Sequence, residues 1–144
     1  MTPEETARRS ADAMWADDRA SRALGMTLDA VGPGRATLSM TLRDDMVNGH
    51  GIGHGGLTFT LADSAFAFAC NSYNRATVAA GADIRFRRPT HLGDRLVAMA
   101  TERERHGRDG VYDVLVTVGD EVVAVFVGRS KEIGGPLFPG DSQA

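Results

Sequence analysis

Several absences narrow what this 144-residue sequence can be. It holds a single cysteine, Cys70, so no disulfide can form within the chain, which fits a reducing, cytoplasmic setting. It has no surplus of positive charge. At a net charge of -3 there is no electrostatic case for nucleic acid or an anionic membrane as partner. The N-terminus lacks a basic cluster followed by an apolar core, so no signal peptide is expected. The most apolar segment is interrupted by Asp63 and falls short of the roughly 18 consecutive apolar residues of a membrane span. No repeat, linker or second domain is visible. What is present, with 42% hydrophobic residues, suits one globular domain over residues 1–144 with a sizeable core.

The feature that stands out is the stretch from Asn48 to Ser72. A glycine-rich loop, Asn48-Gly-His-Gly-Ile-Gly-His54-Gly55-Gly56, opens directly into an almost wholly apolar segment with one carboxylate, Asp63, near its middle. A helix that is apolar nearly all round is a buried helix, and an ionisable group inside it is costly unless paired or solvated in a cleft. At about 100° per residue, Leu57, Leu61, Ala65, Phe68 and Ala69 share the face turned to a sheet. Asp63 falls on the other side with Phe59, Thr60, Phe66, Ala67 and Cys70. That side is also apolar, and a second copy of the chain is its simplest cover. Gly55 belongs at the helix N-terminus, where free N–H groups and the helix dipole favour a developing negative charge. Asp63 lies eight residues on, a rise of about 12 Å, too far for both to act on one carbonyl group. The expectation is two sites shared across a dimer interface.

Around this stretch the pattern changes from helix to strand. Thr2-Pro3-Glu4-Glu5 reads as a capped helix start, followed by an apolar stripe of Ala7, Ala11, Met14 and Trp15. Asp18 suits the cap of a second short helix closed by Gly25, so residues 1–25 form an N-terminal helical segment, a lid or brace. Met26–Val31 and Arg35–Arg43 read as a hairpin across Pro33-Gly34. Beyond the central helix come a strand ending at Pro89 and three more, Asp94–Arg105, Val111–Val118 and Glu121–Ser130, joined by short turns that imply antiparallel neighbours. Val122–Val127 is apolar on both faces and is expected to be covered on both. Residues 134–144, rich in Gly and Pro, are expected to be a flexible tail or one draped on the surface. The sum is an α+β fold, an antiparallel sheet of five to six strands wrapped around one long central helix, which is the hotdog arrangement.

Plainer explanations stand beside each candidate. Asp63 could be a buried carboxylate satisfied by backbone donors or an arginine. His50 and His54 are four apart, but glycines surround them and no third ligand is near, so metal binding is not expected. Gly51-x-Gly-x-x-Gly56 matches a dinucleotide fingerprint but lacks the parallel βαβ unit and the later acid that such a site needs. Asn48 is by default a turn residue. Cys70 lies in the C-terminal half of the helix, which does not favour a thiolate, and reads as a small core residue. Arg85, Arg87, Arg88, Arg103, Arg105 and Arg108 are candidates to bind phosphates of a substrate; solvated strand faces account for most, and some of them, not singled out, are expected to reach it.

The run Asn48-Gly-His-Gly-x-x-His54-Gly55-Gly56, then Phe59-Thr-Leu-Ala-Asp63-x-Ala-Phe-Ala and Asn71-Ser72, resembles the signature of PaaI-type hotdog thioesterases, the phenylacetate-degradation group. Asp18-Arg-Ala-Ser21, Leu24-Gly-Met26, Phe86-x-Arg-Pro89, Gly93-Asp94, Tyr112-Asp-Val114 and Val123-Ala-Val-Phe-x-Gly128 resemble it too, so the likeness covers all but the ends of the chain. The resemblance implies hydrolysis of acyl-CoA thioesters, with phenylacetyl-CoA and its hydroxylated relatives favoured. It implies Asp63 as nucleophile or general base and the Gly55 N–H as the group polarising the carbonyl. His54 and Asn48 would place substrate or water. It also implies a homodimer or a tetramer built as a pair of dimers, with no cofactor beyond the CoA of the substrate. Two alternatives on the same fold are a dehydratase or hydratase acting on acyl thioesters and a non-catalytic acyl-CoA binding module.

Overall fold

The computed structural model describes residues 1–140. Helices α1 (Pro3–Asp17) and α2 (Arg19–Ala23) precede the hairpin of β1 (Thr27–Gly32) and β2 (Arg35–Thr41). A 3-10 turn at Asp44–Met46 leads into α3 (Gly55–Cys70), followed by β3 (Thr77–Phe86), β4 (Arg95–His106), β5 (Asp109–Val118) and β6 (Glu121–Glu132). The six strands form one antiparallel sheet in the order β1-β2-β4-β5-β6-β3. Because α3 intervenes between β2 and β3, β3 reaches the far edge while β4 returns to pair with β2. This is the α+β hotdog fold.

Both expected helix starts form. Thr2 accepts the N–H of Glu5 at 3.1 Å with Pro3 in the first turn, and Asp18 accepts that of Ser21 at 2.9 Å. The inner face of the sheet supplies Leu38, Met40, Leu96, Ala98, Val114, Val116, Ala124 and Phe126, all fully buried, and α3 packs into it with Leu61, Ala62, Ala65, Phe66, Phe68 and Ala69.

The covered arc of α3 is wider than the helical angles alone suggest. Phe66 and Cys70, expected beside Asp63, are buried, and Phe59 is half-buried with its ring edge-on to Phe126 at 5.3 Å. The reason is that α3 touches all six strands, so the sheet curls around it. The N-terminal helices close a further flank through Trp15 against Phe68 at 6.0 Å and Ser21 bonded to Ser64 at 2.8 Å. From Ser64 round to Cys70 the covered arc spans about 240°. Gly56, Thr60, Asp63 and Ala67, at i, i+4, i+7 and i+11, remain as an open stripe of small residues around one carboxylate.

Phe66 shows how tightly the sheet closes. Its ring centroid lies 5.7 Å from that of Tyr112 and 5.8 Å from that of Phe126, and a Cβ added at Gly128 would come within 2.7 Å of it. Gly128→Ala therefore forces a fully buried ring to move. The expected cost is about 1–3 kcal/mol, seen as a fall of several degrees in Tm; an unchanged melt would show that the ring has room to yield.

Two further expectations change. Val122, Val125 and Val127 are only half-buried, beside the exposed Met99 and Leu115, so among the described residues the outer face of β6 is fully covered at Val123 but not at these three. The tail is held as far as Phe138. Asn74 Oδ1 accepts the N–H groups of Leu137 (2.8 Å) and Phe138 (3.1 Å), and the Phe138 ring is buried with the Arg9 guanidinium 4.4 Å from its centroid. The remainder of the expected flexible tail, 141–144, lies outside the described residues. Among the described residues, no helix is long and apolar enough to cross a membrane.

Candidate active site

The loop before α3 is stitched together by Asn48. Its Oδ1 accepts the N–H groups of His50 at 2.9 Å and Ile52 at 3.1 Å, and its own N–H bonds to the Ile52 carbonyl at 2.8 Å. This is the turn role that Asn favours. Its side-chain N–H2 makes no hydrogen bond among the described residues and is free to donate outward.

His54 is the N-cap of α3. Its Nδ1 accepts the Gly56 N–H at 3.1 Å. A nitrogen that accepts carries no proton, so this bond assigns the neutral ring's proton to Nε2, which is left as an exposed donor. Gly55 is the first helical residue, and its N–H makes no hydrogen bond among the described residues. Gly55 lines a cavity of about 330 Å3 together with Gly53, Thr58, Phe86, Arg87 and Thr90, among others. With the cap satisfying one orphan N–H of the helix start, the Gly55 N–H is left for a ligand.

Asp63 stands two turns further along, half-buried, with no hydrogen bond or ion pair among the described residues. The satisfied-carboxylate explanation is therefore not what the fold contains. Burial pushes its carboxyl above the usual carboxylate range. It does not line the cavity at Gly55. One chain thus holds Asn48 in the loop before α3, His54 and Gly55 at the helix start, and Asp63 apart on the open stripe; of these four, Gly55 alone lines the cavity.

The other nucleophile candidate is disabled. Cys70 is buried and its thiol is pushed up to about 12, chiefly by that burial. Among the described residues no group of three or more His, Cys, Asp and Glu side chains is arranged to hold a metal ion. Of the arginines, Arg103 pairs with Asp113, Arg105 with Glu102 at 3.2 Å over the Tyr73 ring, and Arg88 with Glu121 at 3.6 Å. Arg87 and Arg88 stand at the cavity.

Three cavity residues escaped sequence reasoning as site candidates. Phe86 drew notice only as part of a motif, yet the residue is 56% exposed and its ring lies 3.0 Å from where a Gly55 Cβ would be. Thr58 looks like one polar position in an apolar helix and Thr90 like a turn residue. Neither carries a local signal, because the cavity joins the start of α3 to residues 28 or more positions further along the chain.

A donor-bearing helix start within a six-stranded hotdog sheet defines a class, and the sequence comparison agrees: residues 50–125 match the Thioesterase superfamily. The chain belongs to that superfamily, within its PaaI-type hotdog group, and is a thioester hydrolase. It is 42% identical over 130 residues to acyl-coenzyme A thioesterase PaaI of Escherichia coli, across 90% of this chain and 93% of that one. The solved structure of the E. coli PaaI protein from the phenylacetic acid degradation operon superposes with a TM-score of 0.91 at 40% identity, covering 94% of this chain and 99% of the other. A mutant form of phenylacetic acid degradation protein PaaI from Thermus thermophilus gives a TM-score of 0.78 at 34% identity, covering 81% of this chain and 100% of the other.

Proposed function

We propose that this protein hydrolyses acyl-CoA thioesters, with aryl-acetyl chains such as phenylacetyl or hydroxyphenylacetyl preferred, at sites assembled from two copies of the chain. The observation that carries the reading is the separation of two unpartnered groups. Gly55, whose N–H has no partner among the described residues, lines one cavity, and the unpaired Asp63 lies on an open stripe about 12 Å along the same helix. Small residues along that stripe let a second α3 approach closely. Run antiparallel, it brings Asp63 of one copy towards Gly55 of the other. An edge strand supports the same assembly: β3 runs ten residues, pairs only with β6, and exposes Val78-Ala79-Ala80-Gly81-Ala82. The names of the E. coli and Thermus relatives support the substrate class.

The chemistry follows from those groups. As the thioester carbonyl is attacked, its oxygen gathers negative charge, and the Gly55 N–H at the positive end of α3 stabilises it. Asp63 supplies the attack, adding its carboxylate to the carbonyl carbon or taking a proton from the water that adds. The thiolate of CoA leaves, and water completes the hydrolysis if an anhydride has formed. The free Asn48 N–H2 and the His54 Nε2–H are the donors that place substrate or water. CoA takes part only as a portion of the substrate, and the proposed steps call on no further cofactor.

A panel of acyl-CoA esters assayed for free thiol, with sedimentation at the assay concentration, tests the reading. The expected result is a dimer or a pair of dimers that releases thiol fastest from aryl-acetyl-CoA. A monomer with full activity would sink the shared site, and a panel optimum on straight acyl chains would sink the aryl preference.

A further inference from the structure

Thr58 and Thr90 present an anomaly at the cavity. They are only 3% and 5% exposed, and neither hydroxyl makes a hydrogen bond among the described residues. Yet no fully enclosed side-chain oxygen or nitrogen among those residues lacks a partner. Each hydroxyl must therefore reach accessible space, and the space both residues line is the cavity at Gly55. The carbonyl that a helical Thr58 would turn back to, that of His54, already accepts the N–H groups of Leu57 at 3.0 Å and Thr58 itself at 3.4 Å. Beside Thr90 the chain keeps a glycine: a Cβ at Gly53 would lie 2.1 Å from the Thr90 hydroxyl oxygen, so any side chain there would displace it. The Thr90 carbonyl meanwhile accepts the Gly53 N–H at 2.7 Å, holding the two segments together.

We infer that Thr58 and Thr90 bind the amide of the thiol carrier next to the thioester, and so select thioesters of pantetheine over simple thioesters. The inference rests on the acyl-CoA reading of this site. In a CoA thioester the first polar group beyond the sulfur is a secondary amide, four bonds from the acyl carbon. Thr58 stands three residues beyond Gly55, a rise of about 4.5 Å, so a carbonyl held at the Gly55 N–H puts that amide within the span of the two threonines. An amide offers one N–H and one C=O. Two hydroxyls, each able to donate and accept, satisfy both. Arg87 and Arg88 stand at the same cavity, on the path that the nucleotide end of the carrier would take outward.

Thr58→Val and Thr90→Val remove the hydroxyls at nearly constant volume. Three phenylacetyl thioesters separate the outcomes: that of CoA, that of N-acetylcysteamine, which keeps the amide without the nucleotide, and that of propanethiol, which has neither. Each variant is expected to raise KM about tenfold on the first two esters, with kcat held within about twofold and the propanethiol ester unaffected. Thr58→Ser and Thr90→Ser keep a hydroxyl and should behave as wild type, which guards against a variant that merely folds poorly. Equal shifts on all three esters, or none, would overturn the inference. So would a loss of kcat alone on every ester, which would place the hydroxyls on the attacking water. If the wild type hydrolyses only the two small esters, the CoA reading fails while the amide comparison stands. If it hydrolyses none, calorimetric titration with pantetheine decides, and equal affinity of wild type and valine variants overturns the inference.

Discussion

Asp63→Asn lowers kcat on an aryl-acetyl-CoA ester by at least about 100-fold and does not lower Tm at neutral pH. Both parts follow from the same geometry. Asn keeps the size of the side chain but can neither add to a carbonyl as a carboxylate nor take a proton from water. In the folded chain Asp63 is half-buried with no partner among the described residues, so its ionised form is penalised and its carboxyl is raised above the ordinary value by burial. The sign of the linkage is then determined. A carboxyl raised on folding contributes stability that is fully present below its unfolded value and is lost as pH rises through its folded one. At pH 7 the wild type carries that penalty and the Asp63→Asn protein does not. The variant should melt at or above the wild-type temperature at pH 7, and the difference should close in acid. Activity runs the other way: the working form is ionised, so the acid limb of the rate profile lies above that of an ordinary solvated aspartate. Wild-type turnover in the variant would remove Asp63 from the mechanism, and a depressed Tm would point to a structural role.

Gly55→Pro deletes the other half of the proposed chemistry, the N–H, with little disturbance to the helix. Proline is favoured in the first turn of a helix, where its missing N–H has no intrahelical partner to lose. It also demands an extended residue before it, and His54 is already extended at φ -72° and ψ 125°. The new Cβ meets only the tip of the Phe86 ring at 3.0 Å, and that residue is 56% exposed, so its ring can swing aside. The expected loss is about 100- to 1,000-fold in kcat, the scale of one oxyanion donor. Gly55→Ala presents the same Cβ to Phe86 but keeps the N–H, and should lose far less. Equal losses in the two would assign the effect to the ring contact instead of the donor. Subunit exchange adds a test of the shared site. Mixed in equal amounts, Gly55→Pro and Asp63→Asn chains form heterodimers in about half of the dimers, each with both defects in one site and the other site intact. About a quarter of wild-type activity should return. No recovery after confirmed exchange would mean that Gly55 and Asp63 act within one subunit.

Much of the architecture was legible from local chemistry. Pro33-Gly34 marked its hairpin, short turns marked the β4-β5 and β5-β6 pairings, and Thr2 and Asp18 marked their helix starts. These are interactions between residues a few positions apart, so spacing reveals them. The placing of Asp63 away from the sheet was legible for a similar reason, since the angle along a helix is set by sequence distance alone.

Three-dimensional contact settled the rest. The helical angles sorted Phe66 to the open side with Asp63, but the sheet curls far enough to bury it against Tyr112 and Gly128. The outer face of β6, apolar in sequence, is left half-covered at Val125 and Val127 because no layer of the described residues lies over it there. The cavity at Gly55 joins the start of α3 to Phe86, Arg87 and Thr90, and its two unpartnered hydroxyls could not be picked out from either segment alone. By itself the sequence determined the elements, the antiparallel pairing of strands joined by short turns, and a glycine and a carboxylate held at a known spacing on one helix, because these depend on backbone geometry over short range. Only the tertiary structure decided how narrow the open stripe around Asp63 is, that its carboxylate has no partner among the described residues, and which side chains share a cavity with the Gly55 N–H. Those depend on how far a sheet bends around a helix, which is set by the packing of residues distant in the chain.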